Sequence, residues 1–481
     1  MSISSWLRTP RVRRGVAAGA LVLAVGGSIL YRARSEARAL PTTPPEAITG
    51  AILATATNGG SFAGGGAHGA LALSHTKVLA GRDRQVFAVL TMSADAVEQA
   101  AHAPLAMAVV LDTSGSMEGD KMQQAKDVVV RVVQSMRDED EIAVVRYSDD
   151  AEVVQSLARV GTMRESLIAK VRALRAGGGT AIPRGLSSGM KAIADAERGR
   201  VRRVVLVSDG LDGSRGETER MASDGFERGV VVSSLGIGLD FDEGYMSAVS
   251  RAGHGNFAFV EDGAALAKFL KREIDETAAT AIENATARLT LPKGVRFVRA
   301  LGADATTKGD DVELKIGSLF AGDERRVVVE LSASMDAGDG RAIGGSVSWR
   351  RLGASGAEAS LPALQLVASN DEGAVQAGID GTVFASATSV LASARQLEAN
   401  AAYSAGDSAR AKSLMQQNQQ DLSKAQLVAP KPMAAALDRQ KLDYAAGAAT
   451  MATAAPTSTT WKRAAKGAAQ KDGDNMMRST Y

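Results

Sequence analysis

The sequence predicts an α/β chain in which a doubly wound, mostly parallel sheet is flanked by a β-sandwich module and a C-terminal helical region. Three observations carry this. Apolar runs of strand length alternate with amphipathic helical stretches between residues 104 and 279. Short alternating strands with turn-rich connections follow over 280–370. From 371 to 448 the chain turns rich in Ala, Gln and Leu, with helix-forming stretches uninterrupted by proline up to Gln426.

Residues 1–40 form the first segment. Arg8, Arg11, Arg13 and Arg14 precede an uncharged run from Gly15 to Tyr31, the pattern of a signal peptide or signal anchor. Ala37, Arg38 and Ala39 offer a small-x-small cleavage site, but Arg32 and Arg34 between core and site favour a retained single-pass anchor with the bulk of the chain periplasmic or extracellular. Secretion after cleavage is the alternative. Residues 41–66, with Pro41, Pro44, Pro45 and a Gly/Ser run from Gly59, suggest a flexible linker. Leu71 to Val78 and Gln85 to Met92, within 67–103, read as two strands of a β module joined by a Gly81 turn.

The span 104–279 opens with the strand Leu105 to Leu111. Met122, Ala125, Val128, Val129, Val132, Val133 and Met136 then recur at helical spacing, and the strand Ile142 to Tyr147 closes a βαβ unit. A helix over Ile182 to Ala196, a strand over Arg202 to Ser208, a short helix near Glu217 to Arg228 and an apolar strand over Val230 to Leu235 continue the alternation. Leu266, Phe269, Leu270 and Ile274 mark a closing helix.

The strands expected beyond it are Arg288 to Leu291, Val295 to Val298, Val312 to Ile316, Arg325 to Leu331 and Gly345 to Trp349. Pairing of Gln85 to Met92 with any of these would make one sandwich into which the α/β domain is inserted. One or two helices are expected over Asp380 to Gln426, and a short one beyond Pro430 and Pro432. Residues 449–481, rich in Ala, Thr, Lys and Gly, read as a disordered tail.

Composition narrows the chemistry. With no cysteine in 481 residues, disulfides, thiolate catalysis and zinc–cysteine sites are excluded. A formal net charge of +2 speaks against nucleic acid as a partner. His68, His75, His102 and His254 show no metal-ligand spacing. Gly406 to Ser413 approximates a phosphate-binding loop but has alanine at its second glycine position and no strand leading in, so it reads as polar helix.

The site is read from three pieces. Asp112, Thr113, Ser114, Gly115 and Ser116 place a carboxylate and hydroxyls directly after an apolar strand, with Gly115 permitting a bend. Gly177, Gly178, Gly179 and Thr180 present one hydroxyl without side-chain obstruction. Asp209, after Ser208, stands at the exit of another strand. In open α/β sheets, ligands bind outside the carboxyl ends of the strands, where these pieces converge.

Asp112-x-Ser114-x-Ser116, Thr180 and Asp209 resemble the metal-ion-dependent adhesion site of a von Willebrand factor type A (VWA) domain, over roughly Pro104 to Ala279. The chain is similar to the bacterial members that resemble inter-alpha-trypsin-inhibitor heavy chains and calcium-activated chloride channel proteins. The resemblance implies that Ser114, Ser116 and Thr180 bind the metal directly, while Asp112 and Asp209 hold its waters or stand behind the direct ligands. Mg2+, or Mn2+, suits this hydroxyl-rich set better than Ca2+. Neutral hydroxyls leave the cation's charge largely uncompensated, so the implied partner is a protein presenting an Asp or Glu carboxylate. The implied function is adhesion-like and non-enzymatic, membrane-tethered through the N-terminal segment.

Two alternatives stand beside it. One is a VWA scaffold or regulatory subunit of an enzyme complex. The other is a magnesium-dependent phosphohydrolase opening on Asp112, for which the second acidic residue is missing because position 114 is serine.

Overall fold

The computed structural model describes residues 53–95, 104–197, 199–209, 212–260, 263–276, 280–321, 323–351 and 356–477. The proposed anchor, Gly15 to Tyr31, lies outside them. Among the described residues no helix is long and apolar enough to cross a membrane.

The α/β domain is built on β5 (Leu105–Asp112), β6 (Glu141–Tyr147), β7 (Ala151–Arg159), β8 (Val201–Ser208), β9 (Val230–Ile237) and β10 (His254–Val260). Their spatial order is β10-β9-β8-β5-β6-β7, parallel throughout except for antiparallel β7 at one edge. Every residue of β5 is buried, as a strand covered on both faces must be. Leu105, Met107, Val109 and Leu111 pack on one face against Met122, Val129 and Val133 of α1 (Asp120–Ser135). Ala108 and Val110 meet Ile182 and Leu186 of α3 (Ile182–Ala192) on the other. The same face receives α4 (Arg215–Glu227) and α5 (Glu243–Ala252) through Ala222, Tyr245, Met246 and Val249. The short α2 (Arg164–Ala173), the edge strand β7, the helix α5 and the strand β10 are additions to the elements read from sequence.

The strands before and after this domain belong to one sandwich. In β4 (Arg84–Ala94), Gln85 pairs with Ser332 and Met92 with Arg325 of β15 (Glu324–Ala333), antiparallel. One sheet runs β1-β2-β4-β15-β12, with β1 Gly59–Gly64, β2 Ala67–Leu73 and β12 Val295–Leu301. The facing sheet runs β13-β14-β11-β16-β17-β3, with β3 Lys77–Leu79, β11 Thr280–Thr290, β13 Asp304–Lys308, β14 Asp311–Phe320, β16 Gly340–Arg351 and β17 Gly356–Ser369. Leu71, Val86 and Leu90 of the first and Leu289, Val347 and Trp349 of the second share one core. The α/β domain is therefore an insertion between β4 and β11.

The outer face of the first sheet is covered by helices. Ala70, Ala72, Phe87, Val89 and Val328 pack on Val383, Ala387 and Leu391 of α8 (Gly381–Ser404). α7 (Glu372–Ala377), α9 (Ser408–Val428) and α10 (Lys431–Thr453) complete the expected helical region, and Asp407 caps α9 where the phosphate-loop-like stretch lies.

Two expectations are corrected. The Gly/Ser run is not a linker where it is described, because Gly59–Gly64 pairs with Ala67–Leu73 and buries Phe62 in the sandwich core. One aromatic anchor and a glycine turn outweigh the composition. Nor is the tail disordered: α11 spans Thr459–Met477 and buries Trp461, Ala465, Ala469 and Met476. Their spacing of four, four and seven residues is a helical stripe with alanines between Trp461 and Met476, which composition alone hides. The helix after Pro430 is also longer than expected.

The closing helix α6 (Gly263–Leu270) continues into a π-helical turn, Lys271–Glu276. There the fully buried Glu273 accepts from Arg203 (2.8 Å), Ser233 (2.7 Å) and Asn256 (2.6 Å). Arg203 also lies 5.4 Å over the Phe320 ring of β14, tying the base of the domain to the sandwich.

Candidate functional site

Adjacent parallel strands bring the two aspartates together. Leu111 of β5 pairs with Val207 of β8, so Asp112 and Asp209 leave the same edge of the sheet at its carboxyl end. Both side chains are fully buried.

Asp112 is held from three directions. Its Oδ1 accepts from the Ser114 backbone N–H (2.9 Å), and its Oδ2 from the Tyr147 hydroxyl (3.0 Å) and the Ser208 hydroxyl (2.6 Å). Burial pushes its carboxyl above the usual range, the Ser208 and Ser114 hydrogen bonds pull it back, and the neighbouring Asp209 charge adds to the rise. Burial, then the Asp112 charge, raises the Tyr147 phenol well above its ordinary value. Tyr147 is therefore a neutral donor throughout the physiological range.

The Ser114 and Ser116 hydroxyls sit 3.0 Å apart, Ser114 buried and Ser116 exposed. Extended backbone at Ser114 (φ −64°, ψ 166°) turns both hydroxyls to one side before the short 3-10 turn Gly115–Met117. The Gly-Gly-Gly-Thr loop is zipped to this one: the Gly115 N–H donates to the Gly178 carbonyl (2.9 Å), and the Gly177 N–H to the Thr113 carbonyl (2.8 Å). Gly178 has φ +86°, and a Cβ there would lie 2.7 Å from Asp149 Oδ2, so the loop needs glycine. Thr180 follows, half-buried.

Asp209 is held on one oxygen only. Its Oδ2 accepts from Lys121 Nζ (3.2 Å), while Oδ1 is buried with no hydrogen-bond partner among the described residues. A buried carboxylate oxygen without a partner carries a desolvation penalty that a cation would remove. Two buried carboxylates beside three hydroxyl residues, partly balanced by the Lys121 ammonium, form an oxygen-only donor set, which fits a hard divalent ion. The described residues hold no cluster of three or more His, Cys, Asp or Glu that would suit a different metal centre.

All five residues singled out in the sequence thus lie on three loops at one sheet edge. Four supporting residues were not singled out. Tyr147 and Ser208 fix Asp112, Lys121 engages Asp209, and Asp149 accepts from the Gly179 N–H at 2.9 Å to hold the glycine loop. Asp149 stands two residues past its strand, close to the strand end as Asp112 and Asp209 are, a legible signal. Lys121 sits on a helix nine residues past Asp112, where nothing local marks it.

The description "von Willebrand factor type A domain" matches residues 107–272. An uncharacterized Synechocystis protein, sll0103, is 24% identical over 50% of this chain and 60% of its own length, so the chain spans about three fifths of that relative. Inter-alpha-trypsin inhibitor heavy chain H2 of Homo sapiens is 26% identical over 30% of this chain and 17% of its own. Among solved structures, a von Willebrand factor type A protein from Catenulispora acidiphila superposes with a TM-score of 0.60 at 19% identity, covering 74% of this chain and 86% of that one, a likeness of fold. Family match, strand order and fold together establish that this chain carries a von Willebrand factor type A domain over residues 107–272.

Proposed function

We propose that the VWA domain binds a partner protein through a divalent cation, Mg2+ or Mn2+, held by Asp112, Ser114, Ser116, Thr180 and Asp209. The domain family typically mediates protein–protein interaction. The observation that carries the metal-dependent form of it is the buried Oδ1 of Asp209, without a hydrogen-bond partner among the described residues, beside the paired hydroxyls of Ser114 and Ser116.

When bound, the cation supplies an open coordination position for a carboxylate oxygen. The residues prepare for it. Ser114, Ser116 and Thr180 offer neutral oxygens that leave the ion's charge available, and the exposure of Ser116 opens one side of the site to a partner's Asp or Glu. Asp112, with both oxygens engaged, is suited to orient the serine loop and bound water rather than to enter chemistry as a base. A non-enzymatic role is in keeping with this, since no second acidic residue stands at position 114 to shuttle a proton. With the Gly15 to Tyr31 segment as membrane anchor, the domain would meet partners outside the cytoplasm.

The test is calorimetric titration of Mg2+ and Mn2+ into the chain and into an Asp112→Ala, Asp209→Ala double variant. Binding at millimolar concentration or tighter in the first and none in the second is the expected result. Equal heats in both would place any cation elsewhere and leave a metal-independent scaffold as the better reading.

A further inference from the structure

We infer that Lys121 is a positioning residue of the cation site, restricting Asp209 to a single inward oxygen and setting how much charge the ion keeps for a partner's carboxylate. The inference rests on the cation-dependent reading above and deepens it.

Lys121 is built into the site. It lies in the first turn of α1, its side chain is 22% exposed, and its Nζ stands 3.2 Å from Oδ2 of the fully buried Asp209. Its methylene stem runs beside Gly238, where a Cβ would come within 3.0 Å of Lys121 Cε and 3.3 Å of Cγ and Cδ. Gly238 has φ +78°, a conformation natural to glycine, so the loop after β9 closes directly on the lysine stem. The head of the side chain is therefore aimed by packing as well as by charge.

Two consequences follow. With Oδ2 engaged, Asp209 offers only Oδ1 and does not present a bidentate carboxylate, the mode that favours larger ions such as Ca2+. With one ammonium against two buried carboxylates, the donor set carries one net negative charge instead of two. A site of lower anionic charge binds a divalent ion more weakly by itself and leaves the ion more attractive to an incoming anion. The lysine thus trades affinity for the metal against affinity for the partner.

The experiment compares the full chain with Lys121→Met, which keeps the stem and removes the charge, and Lys121→Arg, which keeps the charge. Mn2+ is titrated calorimetrically into each, then acetate into the Mn2+-loaded proteins as the simplest carboxylate. Lys121→Met should bind Mn2+ roughly tenfold tighter than wild type, the scale of one unit charge at short range in a partly screened site. Its acetate affinity should fall several-fold, and Lys121→Arg should restore both values toward wild type. Should Lys121→Met fold poorly, Lys121→Gln makes the same comparison. Unchanged or weaker Mn2+ binding in the uncharged variant, with wild type binding, overturns the role of Lys121 alone. Absence of Mn2+ binding in every chain removes the cation reading and the inference with it.

Discussion

The Ser208 hydroxyl donates a 2.6 Å hydrogen bond to Asp112 Oδ2 across 96 residues of sequence. It fixes one exit aspartate from the strand that carries the other, since Asp209 is the next residue. The two carboxylates are therefore parts of one unit, and perturbing Ser208 reaches both.

Ser208→Ala should weaken Mg2+ binding several-fold while lowering global stability by about 1 kcal/mol, the net worth of one buried hydrogen bond. Calorimetric titration and urea unfolding on the same preparation separate the two. A large stability loss with unchanged metal affinity would show the hydroxyl to be a packing element only.

Ser116→Ala and Thr180→Ala act differently. Ser116 is exposed and Thr180 half-buried, so each change should cost within about 0.5 kcal/mol of stability. Metal-dependent partner binding should nevertheless be lost, read by comparing capture in Mg2+ with capture in chelator. Retained metal dependence in both variants would contradict the donor set.

Gly178→Ala tests the loop rather than a donor. The new Cβ would meet Asp149 Oδ2 at 2.7 Å in a conformation that L-residues rarely adopt, at a cost of about 1–3 kcal/mol. Because this loop is zipped to Thr113 and Gly115, metal affinity should fall with thermal stability. A lower melting temperature with wild-type affinity would mean that Thr180 is not held by this loop.

Acid should destabilise the sandwich through His75. Burial lowers its imidazole from 6.5 to about 4, and the ring lies edge-on to Phe384 of α8 at 5.9 Å. The fold binds the neutral form better, so the stabilisation is complete above pH 6.5 and is lost as pH falls from there toward 4. Discounted for the part of the ring that water reaches, the effect is on the order of 2 kcal/mol. Melting temperatures of wild type and His75→Gln across that window should converge as pH falls. Parallel curves would rule His75 out as the group responsible.

Lys466 holds α11 against the VWA domain. Its side chain is 2% exposed, and its ammonium donates to the Phe241 carbonyl (2.9 Å) and Glu243 (3.0 Å) and stands 4.0 Å over the Phe241 ring. Lys466→Ala should cost about 2 kcal/mol, combining a charged hydrogen bond with the loss of the cation–π contact. Limited proteolysis should then cut within Thr459–Met477 first. Equal protection in wild type and variant would show that Trp461 and its neighbours suffice to dock the helix.

The fold class, the strand exits and the five candidate site residues were legible in the sequence, because each is written locally. An apolar run such as Leu105 to Leu111 announces a buried strand, and a carboxylate or hydroxyl directly after it announces the sheet edge. The remaining features depend on partners distant in sequence. Phe62 makes a strand of a glycine run by finding the sandwich core, and Trp461 makes a helix of an Ala/Lys tail by finding Tyr403, 4.7 Å away. The insertion of the VWA domain needed the Gln85–Ser332 register, and Lys121 lies beside the candidate site only because α1 brings its ammonium to Asp209. Hydrophobic periodicity tells a segment which face to bury, whereas burial itself and the pairing of charges are settled by whatever the rest of the chain places opposite.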